Sequence, residues 1–228
     1  METYIPRFFQ APKQSFFLFG PRGTGKSTFL KEHYPAAIWI DLLKPDVFRA
    51  YAARPERLIE LVHGNPDKKI IIVDEIQKVP EILSAVHSLI EEKIGKIFVL
   101  TGSSARKLKR TGIDLLAGRV LLRTLHPFLL SELANPPAFD EILQFGLLPI
   151  VITSSDPYDA LQSYVSLYLL REEVQIDGLV RNLKKFSRFL EVVSFLHASF
   201  LNINNVAKDI SAALRSALCA LLIRTAAL

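Results

Sequence analysis

An α/β fold built on a parallel sheet is what this sequence predicts, and three stretches predict it. Phe16-Phe17-Leu18-Phe19 is an apolar run of strand length. It leads through Gly20-Pro21-Arg22-Gly23-Thr24-Gly25-Lys26-Ser27 into a segment able to begin a helix at Thr28 to His33. Ile70-Ile71-Ile72-Val73 is an unbroken β-branched run closed by Asp74-Glu75. Such a run reads as a strand buried on both faces, the condition of a parallel sheet covered by helices. Ile97-Phe98-Val99-Leu100, closed by Thr101-Gly102-Ser103-Ser104, reads as another buried strand.

The first stretch carries the P-loop pattern: Gly20, four residues, then Gly25, Lys26 and Ser27. Gly20, Gly23 and Gly25 lack a Cβ and tolerate positive φ, so successive backbone N–H groups can curl around a phosphate. The helix that follows begins with unpaired N–H groups and the positive end of its dipole, which together attract an anion. Lys26 then reaches the β and γ phosphates, and the Ser27 hydroxyl ligates Mg²⁺. The expected nucleotide-binding set is Gly20, Pro21, Arg22, Gly23, Thr24, Gly25, Lys26, Ser27 and Thr28. A Gly-rich turn with a solvated lysine is the plain alternative, and the flanking strand and helix argue against it.

The remaining elements follow in order. Pro6 and Pro12 make the segment before the loop an irregular strip rather than a helix. Arg7 in that strip reads as a surface arginine, with a place near the nucleotide base as the alternative. Ala36 to Asp41 is a second strand, and Asp46 to His63 has helical spacing that Pro55 splits in two. Gly64-Asn65-Pro66-Asp67 is a turn. Pro80 to Glu92 is an amphipathic helix through Ile82, Leu83, Val86, Leu89 and Ile90. Arg119 to Leu125 is a fifth strand.

Acids at the carboxyl end of the Ile70 strand stand where open α/β sheets bind ligands. Asp74 is placed to hold Mg²⁺, directly or through water, and Glu75 to polarise a water for attack on the γ-phosphate. Alone, the pair would suit a helix N-cap equally well. Ser103, in the hydroxyl-rich tip after the Ile97 strand, is a candidate sensor of the γ-phosphate, with an ordinary hydroxyl-capped turn as the even alternative. Arg119 is a candidate for stabilising transition-state charge, in its own subunit or a neighbour's, with a structural ion pair as the alternative.

Composition bounds the rest. A chain of 228 residues, 50% of them hydrophobic, supports one good core and a smaller second unit. The single cysteine, Cys219, excludes an intramolecular disulfide and a Cys-cluster metal site, which suits a reducing, cytoplasmic location. The N-terminus lacks the apolar core of a signal peptide. No stretch approaches the roughly 20 uninterrupted apolar residues that span a bilayer; Arg215 and Arg224 interrupt the Ala/Leu-rich tail. No membrane partner is expected. A formal charge of +5 permits a nucleic-acid partner without demanding one. The basic run Arg106-Lys107-Leu108-Lys109-Arg110 reads more readily as a solvated face than as a nucleic-acid site.

Taken together, FFLFGPRGTGKSTFL, WIDLLKPDVFRAYAARPERL, IIIVDEIQKVPEIL, FVLTGSSARKL, LLAGRVLLRTLHPFLLSEL and FGLLPIV resemble the prokaryotic AAA-type ATPases of the DEIQ class. The resemblance runs from about Tyr4 to about Asp209, and Asp74-Glu75-Ile76-Gln77-Lys78-Val79-Pro80 is its most specific part. It implies a P-loop fold of the additional-strand, catalytic-glutamate division, ATP and Mg²⁺ as cofactors, and Lys26 and Ser27 on phosphate and metal. It also implies Asp74 and Glu75 in the Walker B roles, a sensor within Thr101 to Ser104, and a Leu-Ala-Gly-Arg element at Leu116 to Arg119. Adenine rather than guanine rests on this resemblance; no Asn-Lys-x-Asp string follows the motifs. Leu147 stands where the family usually has a second glycine.

The expected organisation is an ATPase domain over 1–134, a helical C-terminal domain over 135–198 and a helix-turn-helix-like segment over 199–228. Asn135-Pro136-Pro137 marks the first boundary. Pro157 to Val174 and Leu183 to Phe195 are helices whose aromatics, Tyr164, Tyr168, Phe186 and Phe189, read as core. Leu201 to Asp209 resembles the first helix of the family's winged helix-turn-helix, but ISAALRSALCALLIRTAAL lacks the turn and polar recognition face of a DNA reader. That tail points to a truncated or frame-shifted product, or to a divergent one.

The expected activity is hydrolysis of Mg²⁺-ATP coupled to conformational change. A nucleotide-gated DNA- or protein-binding module with little hydrolysis is the alternative, and a small-molecule kinase a weaker third. DNA, protein and a second copy of the chain remain the partner classes.

Overall fold

The computed structural model describes residues 4–103, 108, 116, 118–168 and 186–189. The chain divides into two compact units, Met1–Tyr158 and Asp159–Leu228.

The first unit is a five-stranded parallel sheet with helices on both faces. Its elements are β1 (Phe16–Phe19), α1 (Lys26–His33), β2 (Ile38–Asp41), α2 (Pro45–Ala53), α3 (Arg57–His63), β3 (Ile70–Asp74), α4 (Ile82–Glu91), β4 (Ile97–Gly102), β5 (Leu121–Thr124), α5 (Phe139–Phe145) and α6 (Pro149–Ile152). The strand order is β2-β3-β4-β1-β5, and every neighbouring pair runs parallel. In sequence the strand between the P-loop strand and the acid-bearing strand is β2. In the sheet it is β4, so the strand that separates β1 from β3 is the one ending in Thr101-Gly102.

Alternation along the strands builds two core layers. Phe17, Phe19, Ile71, Val73, Phe98 and Leu100 pack with Tyr51 of α2, Leu58 and Val62 of α3, and Ile82, Leu83, Val86 and Leu89 of α4. Phe16, Leu18, Ile72 and Val99 point the other way, onto Phe29 and Leu30 of α1. This two-sided burial is why β3 and β4 read as continuous apolar runs. The edge strand β5 is different: Leu122 and Arg123 are exposed. Pro55 does divide the segment after β2, and Pro45 sits in the first turn of α2, where its missing N–H costs nothing.

The register gathers the site. Phe19 pairs with Gly102 of β4 and with Thr124 of β5, and Val73 pairs with Leu100. The loop after β1, the acid ending β3 and the hydroxyls ending β4 therefore share the carboxyl edge of the sheet. In the second unit, Tyr168, Phe186 and Phe189 are buried, with the Tyr164 and Tyr168 rings 5.0 Å apart and those of Phe186 and Phe189 5.9 Å apart. α7 (Pro157–Ser163) is the described start of the helix expected from Pro157. The basic run apart from Leu108, the Leu201 to Asp209 segment and the tail with Cys219 lie outside the described residues.

Candidate functional site

The loop from Gly20 to Ser27 is shaped by backbone that only glycine takes without strain. Gly25 has φ 83° and caps α1, and a Cβ there would meet open space. Gly20 has φ 150°, and a Cβ there would come within 2.2 Å of the Leu125 carbonyl oxygen. Inside the curl, the Lys26 ammonium donates to the carbonyls of Gly20 at 2.6 Å and Pro21 at 3.0 Å. The Thr24 hydroxyl donates to the Pro21 carbonyl at 2.9 Å. Lys26 and Thr24 are both buried. Lys26 thus lies across the concavity, where an anionic phosphate would be a stronger acceptor than the Gly20 and Pro21 carbonyls.

Across the carboxyl edge, the Ser27 hydroxyl donates to Asp74 Oδ2 at 2.9 Å. The Thr101 hydroxyl donates to Asp74 Oδ1 and accepts the Glu75 N–H at 3.1 Å. Glu75 takes a left-handed conformation, φ 62° and ψ 48°, unusual for a residue with a Cβ. Its carboxylate accepts from the Gln77 amide. Ser27, Asp74, Thr101, Glu75 and Gln77 thus form one connected chain of hydrogen bonds. Within Thr101 to Ser104, Thr101 turns inward to hold Asp74. Ser103 follows the end of β4, and Ser104 lies outside the described residues.

These groups fit a nucleotide and Mg²⁺. Ser27 and Asp74 bring two hard oxygen donors together beside the loop; they would hold Mg²⁺, whose charge would offset that of the phosphates. Among the described residues no cluster of three His, Cys, Asp or Glu side chains could hold a metal. Two buried polar atoms, Ser103 Oγ and Gln77 Oε1, have no hydrogen-bond partner among the described residues.

Arg119 lies elsewhere. Because Leu121 pairs with Phe16, at the start of β1, Arg119 sits at the amino edge of the sheet, opposite the loop that follows Phe19. There it forms an ion pair with Glu91 at the end of α4, which holds the Glu91 carboxyl below its usual range through the hydrogen bond and then the charge. Arg119 therefore lies away from the loop of its own subunit.

Arg7 is not a surface residue. Its side chain is 6% exposed, paired with Glu132 at 3.1 Å, and its guanidinium donates to the Thr24 carbonyl of the loop at 2.9 Å. The only signal in the sequence is its place just ahead of the P-loop strand. Beside the loop lies a cleft of about 490 Å³, lined by Tyr4, Ile5, Phe29, Phe128 and Ile150 with the Gly23 to Gly25 backbone. It offers an apolar slot next to an anion cradle.

Residues 12–134 match the family described as an AAA domain, more than half of the chain. The chain belongs to the AAA domain family. No curated protein matches it. Among solved structures, this AAA domain protein is similar to AMPPCP-bound DnaA from Aquifex aeolicus, at 15% identity over 89% of this chain and 69% of that chain, with a TM-score of 0.37. It is also similar to domain III of the replication initiation protein DnaA from Thermotoga maritima, at 14% identity over 76% and 82% of the two chains, TM-score 0.32. A third is replication initiator DnaA bound to AMPPCP and single-stranded DNA, at 14% identity over 85% and 67%, TM-score 0.34. The AAA domain assignment and the parallel β2-β3-β4-β1-β5 sheet make this a P-loop NTPase of the AAA type. Among the described residues no helix is long and apolar enough to cross a membrane.

Proposed function

We propose that this AAA domain binds Mg²⁺-ATP at Gly20 to Thr28 and hydrolyses it, and that the chain is of the DEIQ class, with a C-terminal domain whose interactions the nucleotide state changes. The observation that carries the reading is the Ser27–Asp74 hydrogen bond at 2.9 Å between the P-loop helix and the β3 acid, beside Glu75. In the P-loop fold those two oxygens meet where Mg²⁺ is held. The metal supplies charge neutralisation at the phosphates.

The chain's own residues do the rest. The loop N–H groups and the Lys26 ammonium bind and orient the phosphates, offsetting charge that grows on them in the transition state. Glu75 orients a water and accepts its proton. Ser103 Oγ, buried and without a partner among the described residues, is suited to touch the γ-phosphate. Arg119 acts on a neighbouring copy of the chain.

The test is phosphate release by wild type and Glu75→Gln with ATP binding measured in parallel. The variant is expected to bind ATP and to lose about 10²–10⁴-fold in turnover. Normal turnover in Glu75→Gln would remove Glu75 from the mechanism. One observation favours a second reading, a nucleotide-gated module with slow hydrolysis: the Gln77 amide already occupies the Glu75 carboxylate. Tight ATP binding with negligible release by wild type would select it.

A further inference from the structure

The string that follows β5, His126-Pro127-Phe128-Leu129-Leu130-Ser131-Glu132, has no part in the reaction derived above, yet it closes around a buried arginine. Arg7 and Glu132 are 6% and 3% exposed, and Arg7 Nε donates to Glu132 Oε2 at 3.1 Å. Arg7 Nη2 donates to the carbonyls of His126 at 2.6 Å and Pro127 at 3.1 Å, and its guanidinium lies 4.6 Å from the centre of the Phe128 ring. Glu132 is held in turn, accepting from the Phe8 N–H at 2.6 Å and the Leu129 N–H at 2.9 Å. Arg7 Nη1 donates to the Thr24 carbonyl at 2.9 Å.

A buried ion pair is a weak source of stability, because desolvation offsets the attraction and an apolar pair of similar volume does as well. What an apolar pair cannot do is present several donors in one rigid plane. The guanidinium fork does that, and here it ties three segments together: the N-terminal strip, the P-loop and the stretch after β5. We infer that Arg7, braced by Glu132, is a positioning residue for the nucleotide, fixing the Thr24–Gly25 peptide of the P-loop in the orientation that binds phosphate.

A trans peptide is planar, with its C=O and N–H pointing opposite ways. Holding the Thr24 carbonyl on Arg7 therefore turns the Gly25 N–H away from Arg7. The preceding peptide is held in the same manner, since the Ile150 N–H of α6 donates to the Gly23 carbonyl at 3.3 Å. Glycine-rich backbone is otherwise free to rotate these peptides, and ordering them on binding would cost conformational entropy. With both carbonyls anchored, that cost falls before the ligand arrives. Arg7 and Phe128 also line the cleft beside Gly23 to Gly25, so the clasp borders the site it sets.

This inference rests on the reading of Gly20 to Thr28 as an ATP site. The experiment is calorimetric titration of Mg²⁺-ATP into the full chain as wild type, Arg7→Lys, Arg7→Ala and Glu132→Gln, with melting temperatures taken with and without nucleotide. Arg7→Lys keeps the charge and loses the fork, and is expected to weaken ATP binding about tenfold, equivalent to ~1.4 kcal/mol. Arg7→Ala should lose more and recover part of its affinity in millimolar guanidinium. Glu132→Gln, which keeps the shape and loosens the brace, provides the reading if the arginine variants fail to fold, with an expected loss of severalfold. A purely structural clasp would lower the melting temperature of the ligand-free variants and leave the dissociation constant and the guanidinium response unchanged. That result, with wild type binding normally, overturns the inference alone. Failure of folded wild type to bind ATP overturns the ATP reading as well.

Discussion

Gly20 and Gly25 both carry positive φ in the same loop, and replacing each by alanine is expected to break different things. At Gly20 the new methyl would sit 2.2 Å from the Leu125 carbonyl oxygen, which is backbone and has nowhere to go because the Leu125 N–H donates to Phe19 at 2.8 Å. Unfavourable φ costs about 1–3 kcal/mol and a forced overlap in packed surroundings about 1–3 more, so Gly20→Ala should lose roughly 2–6 kcal/mol. For a chain of this size that is a fall of roughly 4–24 °C in melting temperature. At Gly25 a methyl meets nothing within 4 Å, and the cost is left-handed strain of about 1–2 kcal/mol. Relief of that strain rotates the peptides that open α1, and every N–H hydrogen bond to phosphate broken by the rotation costs about 1.5–3 kcal/mol, because the acceptor is charged. Gly25→Ala should therefore melt within a few degrees of wild type and bind ATP about 10–100-fold more weakly. Thermal melting and calorimetric titration of both variants decide it. A Gly20→Ala protein as stable as wild type, or a Gly25→Ala protein with undiminished affinity, would refute the reasoning.

Other consequences are equally direct. Ser27→Ala removes one of two oxygens proposed for the metal, so ATP binding should lose most of its dependence on Mg²⁺ in titrations with and without EDTA. Phe98, fully buried between β3 and the α4 side of the core, should cost about 3–5 kcal/mol on truncation to alanine, read by urea unfolding. Burial raises the Tyr51 hydroxyl above its ordinary value of 10.0, with the Arg57 charge a smaller opposing influence. The unfolded chain therefore releases this proton first, stability falls as pH rises past about 10, and Tyr51→Phe should flatten that decline in alkaline melting curves. Arg119→Ala should leave ATP affinity unchanged in dilute protein, because the residue sits at the sheet edge opposite its own loop.

Much of this is legible in the sequence because the informative residues act locally. The P-loop and the Asp74-Glu75 end of β3 are set by backbone chemistry that only a few residue types satisfy. Buried parallel strands also announce themselves as apolar runs. The spatial order of the strands is not legible: nothing in a linear sequence says that β4 rather than β2 lies between β1 and β3. Arg7 reads as a surface residue for the same reason, since its partners Glu132, His126 and Pro127 are far away in the chain and no periodicity links them. Thr101 and Ser103, neighbours on one strand end, divide between holding Asp74 and standing without a partner among the described residues, a difference that depends on the local backbone at the sheet edge.

The central claim is that the loop between β1 and α1 binds the phosphates of ATP through Lys26, and titration of Mg²⁺-ATP into wild type and Lys26→Ala tests it most directly. The Lys26 ammonium donates to the Gly20 and Pro21 carbonyls inside the curl, and its removal takes away a charge from the phosphates. The account predicts saturable, Mg²⁺-dependent binding by wild type and at least a tenfold loss in a variant with an unchanged far-UV spectrum. Equal affinity in the two proteins, or no binding by folded wild type, would contradict it.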